Sequence, residues 1–406
     1  MSRRALPIIV FVVIVAALTI ALWMQPPAPE PAPPAGPLAA LAPHLARLDP
    51  GAEGEINARA FVEATMDAVE GSPREPILEA LGSEDPNAQW AGLLAVPRYG
   101  TPDATLAQAL AALLAAENDR NRWLAAAACG FLGAEFPTAE PALERAARDP
   151  APKVRAEALA TLAQSSTRLP TLWTLFRDAL ADEPSAVRAA GAKGLARIEL
   201  KDHLTPRYIA PLREALGTAM KDESHDVRMY AVMALGRMGS EAAPEVDGIV
   251  ALLDDESTLV RGTAANALGE LGAAALPAIR AALPDAPPQR VSSLLWALRM
   301  IGEPALPALR DALKAEQATT RVQAALKLWE LEQPPEPSVD VLASALEGDD
   351  ADARRLAARG FARMGTAGAT ARSVLARYRD HEDSVVRDAV RSALARIDAA
   401  GRKPQK

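Results

Sequence analysis

Two stretches of this chain share one pattern. Residues 222–239 read DESHDVRMYAVMALGRMG, and residues 255–272 read DESTLVRGTAANALGELG, 33 positions further on. Both begin with Asp-Glu-Ser, pass through Val-Arg to Ala-Leu-Gly and close on a glycine. A segment that recurs at a period of about 20 to 50 residues is typical of a repeat protein.

The pattern continues on both sides of these two copies. With Val227 and Val260 as the reference position, the sequence predicts ten copies at intervals of 30 to 40 residues. The reference residues are Trp90, Trp123, Val154, Val187, Val227, Val260, Arg290, Thr320, Ala353 and Val386. Such regularity over about 300 residues predicts a solenoid, in which each repeat packs against its neighbours.

The residues of one copy predict a pair of helices. Small or apolar residues stand four and eight positions after the reference, as at Ala231 and Leu235, and share its helical face. The glycines that often close this helix, where a left-handed cap belongs, are Gly133, Gly239, Gly272, Gly302 and Gly365. Segments such as ALPAIRAAL supply another helix between the copies. The predicted fold is all-α, an α-solenoid of about ten helical hairpins over residues 75–400.

The first 25 residues predict a membrane anchor. Residues 6–24 form an uncharged apolar run, roughly 29 Å long as a helix and close to the thickness of the bilayer core. Arg3 and Arg4 precede the run, and no Lys or Arg follows until Arg47, which places the N-terminus in the cytoplasm. The alternative is a cleaved signal segment.

The chain between this run and the repeats divides in two. Residues 26–37 contain seven prolines and predict a stiff, extended linker. Residues 38–74 predict N-terminal capping helices. Because Ala, Arg and Pro dominate the composition, we expect a bacterial protein. It would cross the inner membrane once and carry its solenoid in the periplasm.

Composition limits the classes of ligand. The net charge of −8 argues against nucleic acid as the main ligand, because phosphates are held by Lys and Arg. From residue 351 onward, however, thirteen Lys and Arg stand against six Asp and Glu. Binding of nucleic acid or an anionic surface through these basic C-terminal repeats therefore stays as an alternative. The single cysteine, Cys129, excludes an intramolecular disulfide and a cysteine-based metal cluster.

The repeated pattern Pro…Leu…Leu…Asp followed by Val-Arg…Ala…Ala-Leu-Gly, in which the dots stand for intervening residues, resembles HEAT repeats, in particular the short bacterial HEAT-like repeats shared with phycobilin lyases. The resemblance implies a ladder of aspartates and arginines along the turns. In each turn it would pair the aspartate with the arginine of that same turn. The pairs are Asp149 with Arg155, Asp182 with Arg188, Asp222 with Arg228, and Asp255 with Arg261. A guanidinium that is partly buried needs such a carboxylate partner. These residues are therefore interpreted as structural.

Motifs of catalysis are missing from the sequence. It contains no GxSxG, P-loop, GxGxxG or HExxH motif, and its four histidines include only one His-Glu pair, His381-Glu382. No metal site, cofactor or small-molecule substrate is expected. A HEAT-like enzyme or a chromophore lyase is kept as an alternative.

The resemblance places the helix that carries the reference position on the concave side of the array. Residues on its exposed side are the candidates for binding a protein, because methionine, tryptophan and arginine are enriched at binding surfaces. The candidates are Met229, Met233, Arg237, Asn266, Trp296, Arg355, Arg359 and Arg363. The sequence thus predicts a membrane-tethered, non-catalytic scaffold that binds a protein partner in its groove.

Overall fold

The computed structural model describes residues 74–401, apart from 169–170, 199, 201–205 and 332–333. The predicted anchor at residues 1–25, the linker at 26–37 and nearly all of the capping segment lie outside the described residues and stay predictions. Among the described residues, no helix combines the length and the apolar character that a membrane span requires.

Helices in pairs make up the described part of the chain, which contains no strand. They are α1 (Arg74–Leu81), α2 (Pro86–Tyr99), α3 (Ala104–Leu113), α4 (Asp119–Cys129), α5 (Phe136–Ala146), α6 (Pro152–Ser165), α7 (Trp173–Ala179), α8 (Ser185–Ala196), α9 (Pro206–Ala219), α10 (His225–Arg237), α11 (Val246–Ala251), α12 (Thr258–Glu270), α13 (Leu276–Ala282), α14 (Pro288–Ile301), α15 (Leu306–Ala312), α16 (Ala318–Glu330), α17 (Glu336–Glu347), α18 (Ala351–Met364), α19 (Arg372–Arg377) and α20 (Ser384–Gly401). The prediction of an all-helical array of about ten hairpins is confirmed.

Each repeat has a first helix, with an odd number, and a second helix, with an even number. The second helices contact one another in sequence along the whole array, and they do so more closely than the first helices. In a curved stack the closely packed row lies on the inner side, so the second helices form the inner face. The 40-residue interval arises from α9, whose 14 residues make it the longest first helix.

The glycines predicted to close the second helices adopt left-handed backbone conformations. Gly133, Gly239, Gly272, Gly302 and Gly365 have φ angles between 53° and 80°. A side chain is disfavoured in this region, because its Cβ approaches the neighbouring carbonyl oxygen. Each of these glycines leads into a short 3₁₀ turn, which turns the chain into the first helix of the next repeat.

The start of each second helix sets the register of the repeat. Val227 and Val260 each lie three residues after the N-cap, which is Ser224 in α10 and Ser257 in α12. By the same rule the reference residue of α4 is Asn121, after the N-cap Asn118. The reference residue of α2, by the same rule, is Ala88. The predicted reference residues Trp90 and Trp123 are therefore wrong by two positions.

The error arose because Asn121 is polar and does not look like a core residue. It is nevertheless fully buried. Its Nδ2 donates to the main-chain oxygen of Pro86 at 2.8 Å and to Oε1 of Gln89 at 3.1 Å. A buried amide is tolerated where such partners are present.

The hydrophobic core runs through the array between the two rows of helices. One continuous cluster of buried side chains extends from Ile77 to Leu328, and a second extends from Val322 to Ile397. Both include residues of α16, so the core divides at this helix.

Candidate functional site

A continuous line of arginines and aspartates runs along the turns between the helices. In its most buried member, the Nε and Nη2 atoms of Arg228 donate to the two carboxylate oxygens of Asp255 at 2.8 and 2.9 Å. The Nη1 atom donates to the main-chain oxygens of Asp222 and Glu223 at 2.9 and 3.0 Å. The guanidinium therefore ties its own turn to the turn of the next repeat.

Three further arginines bind in the same way. The ion pairs are Arg122–Asp149, Arg155–Asp182, Arg188–Asp222 and Arg228–Asp255, with fork distances of 2.6 to 2.9 Å. Each aspartate thus receives the arginine of the preceding repeat. We refer to these four pairs as the ladder.

The predicted pairing of Asp and Arg within one turn is wrong. Asp149, for example, pairs with Arg122, whereas Arg155 reaches only the main-chain oxygen of Asp149, at 2.8 Å. The same shift applies to Asp182/Arg188, Asp222/Arg228 and Asp255/Arg261. The physical reason is that Nη1 is held by the carbonyls of its own turn, which leaves the other two nitrogens for the next repeat.

The two ends of the ladder differ from the sequence prediction as well. Arg122 lies outside the predicted ladder, because the apolar pattern places the reference position of its repeat at Trp123. Arg261 was included, but it makes no ion pair among the described residues. Its Nη2 donates instead to Oγ1 of Thr258 at 2.8 Å.

Three of the ladder carboxylates have a lowered pKa because of their surroundings. Burial, the largest single influence, would raise the pKa of Asp149, Asp222 and Asp255, but the arginine hydrogen bonds, the main-chain donors and the nearby arginine charges together hold each pKa below its ordinary value. A main-chain N–H adds to this effect; Ser257, for example, donates to Asp255 at 2.8 Å.

The candidate binding residues on α10 are only partly accessible. Met229, Met233 and Arg237 are all half-buried, and Met233 packs against the core. Their side chains contribute a limited area to the inner face.

A stronger surface feature lies on α14. The Trp296 side chain is 38% exposed, and its Nε1 donates to Oδ1 of Asn266 on α12 at 2.9 Å. The Arg299 guanidinium lies 4.4 Å from the ring centre, and the Lys327 ammonium lies 5.6 Å from it. Both distances fall within the range of cation–π attraction. The indole is therefore held in place while much of it faces solvent.

Glu330 on α16 gathers the cations around this indole. It accepts from Lys327 at 3.1 Å and from Arg363 at 2.7 Å, and it lies 3.5 Å from Arg299. Burial would raise the pKa of Glu330, but the hydrogen bonds from Arg363 and Lys327 lower it below its ordinary value. One carboxylate thus organises three cations, and the surface keeps an excess of positive charge.

We refer to Asn266, Trp296, Arg299, Lys327, Glu330 and Arg363 as the inner-face cluster. The structure brings together three predicted candidates here: Asn266, Trp296 and Arg363. Arg299, Lys327 and Glu330 were missed. A basic residue three positions after Trp296, and a Lys-Glu pair one repeat later, were the signals that could have revealed them.

The predicted arginine stripe on α18 separates into three environments. Arg363 belongs to the inner-face cluster, whereas Arg355 binds Asp383 at 2.7 Å. Arg359 is exposed and makes no ion pair within the described part of the chain. Spacing at every fourth residue placed these side chains on one face but could not reveal their partners.

The described residues offer few groups suited to catalysis. No three His, Cys, Asp or Glu side chains in this part of the chain lie together as a metal-binding group. Burial raises the pKa of the Cys129 thiol to about 12, so this thiol is unreactive at neutral pH. The His225–Asp226 pair, at 3.3 Å, stands in solvent with both side chains 53% exposed.

Comparison with known protein families agrees with the repeat pattern. The family description "HEAT repeats" matches residues 106–196, 213–299 and 246–328, which together make up about half of the chain. The chain belongs to the HEAT repeat family. No curated protein sequence matches it.

Solved structures of similar fold include those of Kap95p, Kap121p and importin beta. Kap95p, in a structure with RanGDP, is 16% identical with a TM-score of 0.54, over 89% of this chain and 56% of Kap95p. Kap121p bound to Nup53p is 15% identical with a TM-score of 0.51, over 89% and 45%. Importin beta is 17% identical with a TM-score of 0.50, over 89% and 51%. The chain spans about half the length of these structures, and the likeness concerns the fold alone.

Proposed function

We propose that this HEAT protein is a non-catalytic scaffold that binds another protein along its inner face. The observation that carries the proposal is the inner-face cluster, in which a partly exposed indole is held by a hydrogen bond and two cations. Tryptophan and arginine dominate the binding energy of many protein interfaces. Side chains that are already ordered lose little entropy on binding.

The fold is compatible with this role. Kap121p, which has a similar fold, has been solved bound to Ste12p and bound to Nup53p. Those partners belong to Kap121p. For this chain, the similarity supports only the idea that a HEAT array binds protein.

Membrane tethering is part of the proposal. Residues 6–24 would anchor the chain in a bacterial inner membrane, with the N-terminus in the cytoplasm and the solenoid in the periplasm. Protease added to spheroplasts should then digest the solenoid but not a tag at the N-terminus. Protection of the solenoid would reject this orientation.

The alternative of an anionic surface as the ligand is less well supported. Most arginines of the C-terminal repeats are engaged by carboxylates; the pairs include Arg355–Asp383, Arg372–Asp398, Arg377–Glu347 and Arg391–Asp380. These pairs reduce the positive charge that is available to a phosphate.

Crosslinking of the full-length protein in native membranes tests the proposed function. Trp296→Ala should lose partners that the wild type captures, because it removes the centre of the inner-face cluster. Leu259→Ala is the matched control, since this side chain is 61% exposed and lies outside the cluster. Equal capture by both variants would show that the inner-face cluster does not bind the partner.

A further inference from the structure

The turn between α17 and α18 lacks the aspartate with which a ladder arginine would pair. The ladder aspartates stand five residues before the reference position of their repeat, as Asp255 stands before Val260. In the repeat whose reference is Ala353, this position is Gly348. The arginine that should meet it is Arg321, on α16.

Arg321 has the bonds of a ladder arginine on one side only. Its Nη1 donates to the main-chain oxygens of Ala315 and Glu316 at 2.8 and 2.7 Å, as Arg228 does in its own turn. In the described part of the chain, its Nε and Nη2 have no hydrogen-bond or ion-pair partner. These are the two nitrogens that hold an aspartate in the four complete pairs.

A cleft of about 300 Å³ opens at this place. Its lining residues include Arg321, Asp340 and four apolar side chains: Leu313, Ala318, Val341 and Ala345. Asp340 is exposed and forms no ion pair with Arg321. The cleft therefore combines an unused guanidinium fork with apolar walls, and the fork must offset the repulsion between Asp340 and an incoming carboxylate.

We propose that this cleft binds the side-chain carboxylate of an aspartate or glutamate from a protein partner. The molecule itself shows the chemistry four times, because the same fork holds an aspartate at 2.6 to 2.9 Å in each complete pair. Bidentate pairing with a carboxylate is the geometry that guanidinium favours. The apolar walls accept the carbon atoms next to the carboxylate.

The inference rests on the proposed function in one respect, namely that the carboxylate belongs to a protein. It adds a second contact surface, on the turn side of α16 and α17, apart from the inner-face cluster. A partner that used both would bind more tightly than one that used either alone.

A variant that restores the missing aspartate at position 348 tests the inference. Gly348 has φ −74° and ψ 170°, a conformation that aspartate adopts without strain. A Cβ added there would lie 3.5 Å from its nearest neighbour, the main-chain oxygen of Ser344, which is an ordinary contact. Gly348→Asp should therefore complete the pair with Arg321, occupy the two free donors of its guanidinium and raise the urea midpoint of unfolding.

The experiment measures peptide binding by the full-length protein in detergent. The probes are fluorescein-labelled Leu-Asp-Leu with blocked termini and the matching Leu-Asn-Leu peptide. We expect the Asp peptide to bind at least tenfold more tightly. Arg321→Lys, which keeps the charge but lacks the fork, should remove most of this difference, and Gly348→Asp should abolish it.

Equal affinity for the two peptides would overturn the inference, as would a Gly348→Asp protein that still prefers the Asp peptide. These outcomes are distinct from failure of the proposed function. If Trp296→Ala abolishes partner capture but the peptides are not distinguished, only the cleft is rejected. If the peptides are distinguished but Trp296→Ala captures partners normally, only the inner-face role is rejected.

Discussion

The repeats from α4 to α12 and those from α14 to α20 have the same helix pairs but differ in how their turns are joined. In the first region the arginines of the ladder are 9 to 17% exposed and each binds an aspartate of the next repeat. In the second region, arginines such as Arg363, Arg372 and Arg377 are 55 to 62% exposed and pair across helix surfaces. The interactions that stack the helices are therefore different from those that join one turn to the next.

Stacking needs only the apolar pattern, because both regions have it and both are packed. Coupling of the turns needs an aspartate at one position in each repeat. At Gly348 that aspartate is replaced, and Arg321 keeps two donors without a partner in the described part of the chain. Five of the six residues of the inner-face cluster also belong to the second region, whereas Asn266 lies on α12 at the end of the first, so the features suited to binding collect mainly where the turns are not coupled.

Loss of one ladder arginine is the largest expected effect. Arg228→Ala should lower the free energy of unfolding by about 2–4 kcal/mol, because it leaves Asp255 buried without its partner. Arg321→Ala, the matched change in the second region, should cost about 1 kcal/mol, since only hydrogen bonds to carbonyls are lost. Urea unfolding followed by circular dichroism measures both. Equal costs would mean that the ion pair is not what distinguishes the two regions.

The pH dependence of stability is the next largest effect. Asp149, Asp222 and Asp255 of the ladder have a pKa below their ordinary value in the folded protein, so the unfolded chain binds protons first as pH falls. Their contribution is complete above the unfolded pKa of about 3.9 and is lost as pH falls through the folded pKa. The urea midpoint should therefore fall on acidification below about pH 4. Arg228→Ala should show a shallower fall, and an identical pH profile would contradict this assignment.

The closing glycines should behave alike in the two regions. Gly272 and Gly302 have φ angles of 63° and 80°, so replacement of either by alanine should cost about 1 kcal/mol. Gly262→Ala is the control, for which we expect the opposite change in stability. It lies inside α12, where an added Cβ meets nothing within 4 Å, and should stabilise by about 0.5–1 kcal/mol. Unequal costs at 272 and 302, measured by urea unfolding, would show that the regions differ in their turns as well.

Surface ion pairs of the second region should contribute least. Arg372 binds Asp398 at 2.9 Å, but the two side chains are 57% and 37% exposed. Arg372→Ala should change the free energy of unfolding by about 0.5 kcal/mol or less, because solvent screens such pairs. A loss as large as that of Arg228→Ala would remove the contrast between buried and exposed pairs.

Much of the fold was predictable, and the reasons are local. The apolar positions of each repeat, the glycines with left-handed backbones and the long helix α9 all follow from periodicity and backbone sterics. The register of the first repeats was not predictable from apolar residues. Asn121 is buried only because Pro86 and Gln89, one repeat earlier, accept its hydrogens.

The candidate site was predictable in part. Asn266, Trp296 and Arg363 could be placed on one face by counting along the helices. They are joined through Glu330 and Lys327, and this depends on which side chains of four successive second helices lie side by side.

The sequence by itself determined that the chain forms helical hairpins that stack in a row, because a single hairpin cannot bury its apolar stripe. Only the tertiary structure decided which carboxylate each arginine meets. An arginine holds its own turn through main-chain carbonyls, and its remaining donors reach whatever the next repeat presents. That partner lies 27 residues away in Arg228–Asp255 and 34 residues away in Arg188–Asp222, and it is missing at Arg321 within the described residues. The spacing of residues along the chain does not reveal which side chains lie close together in the folded protein.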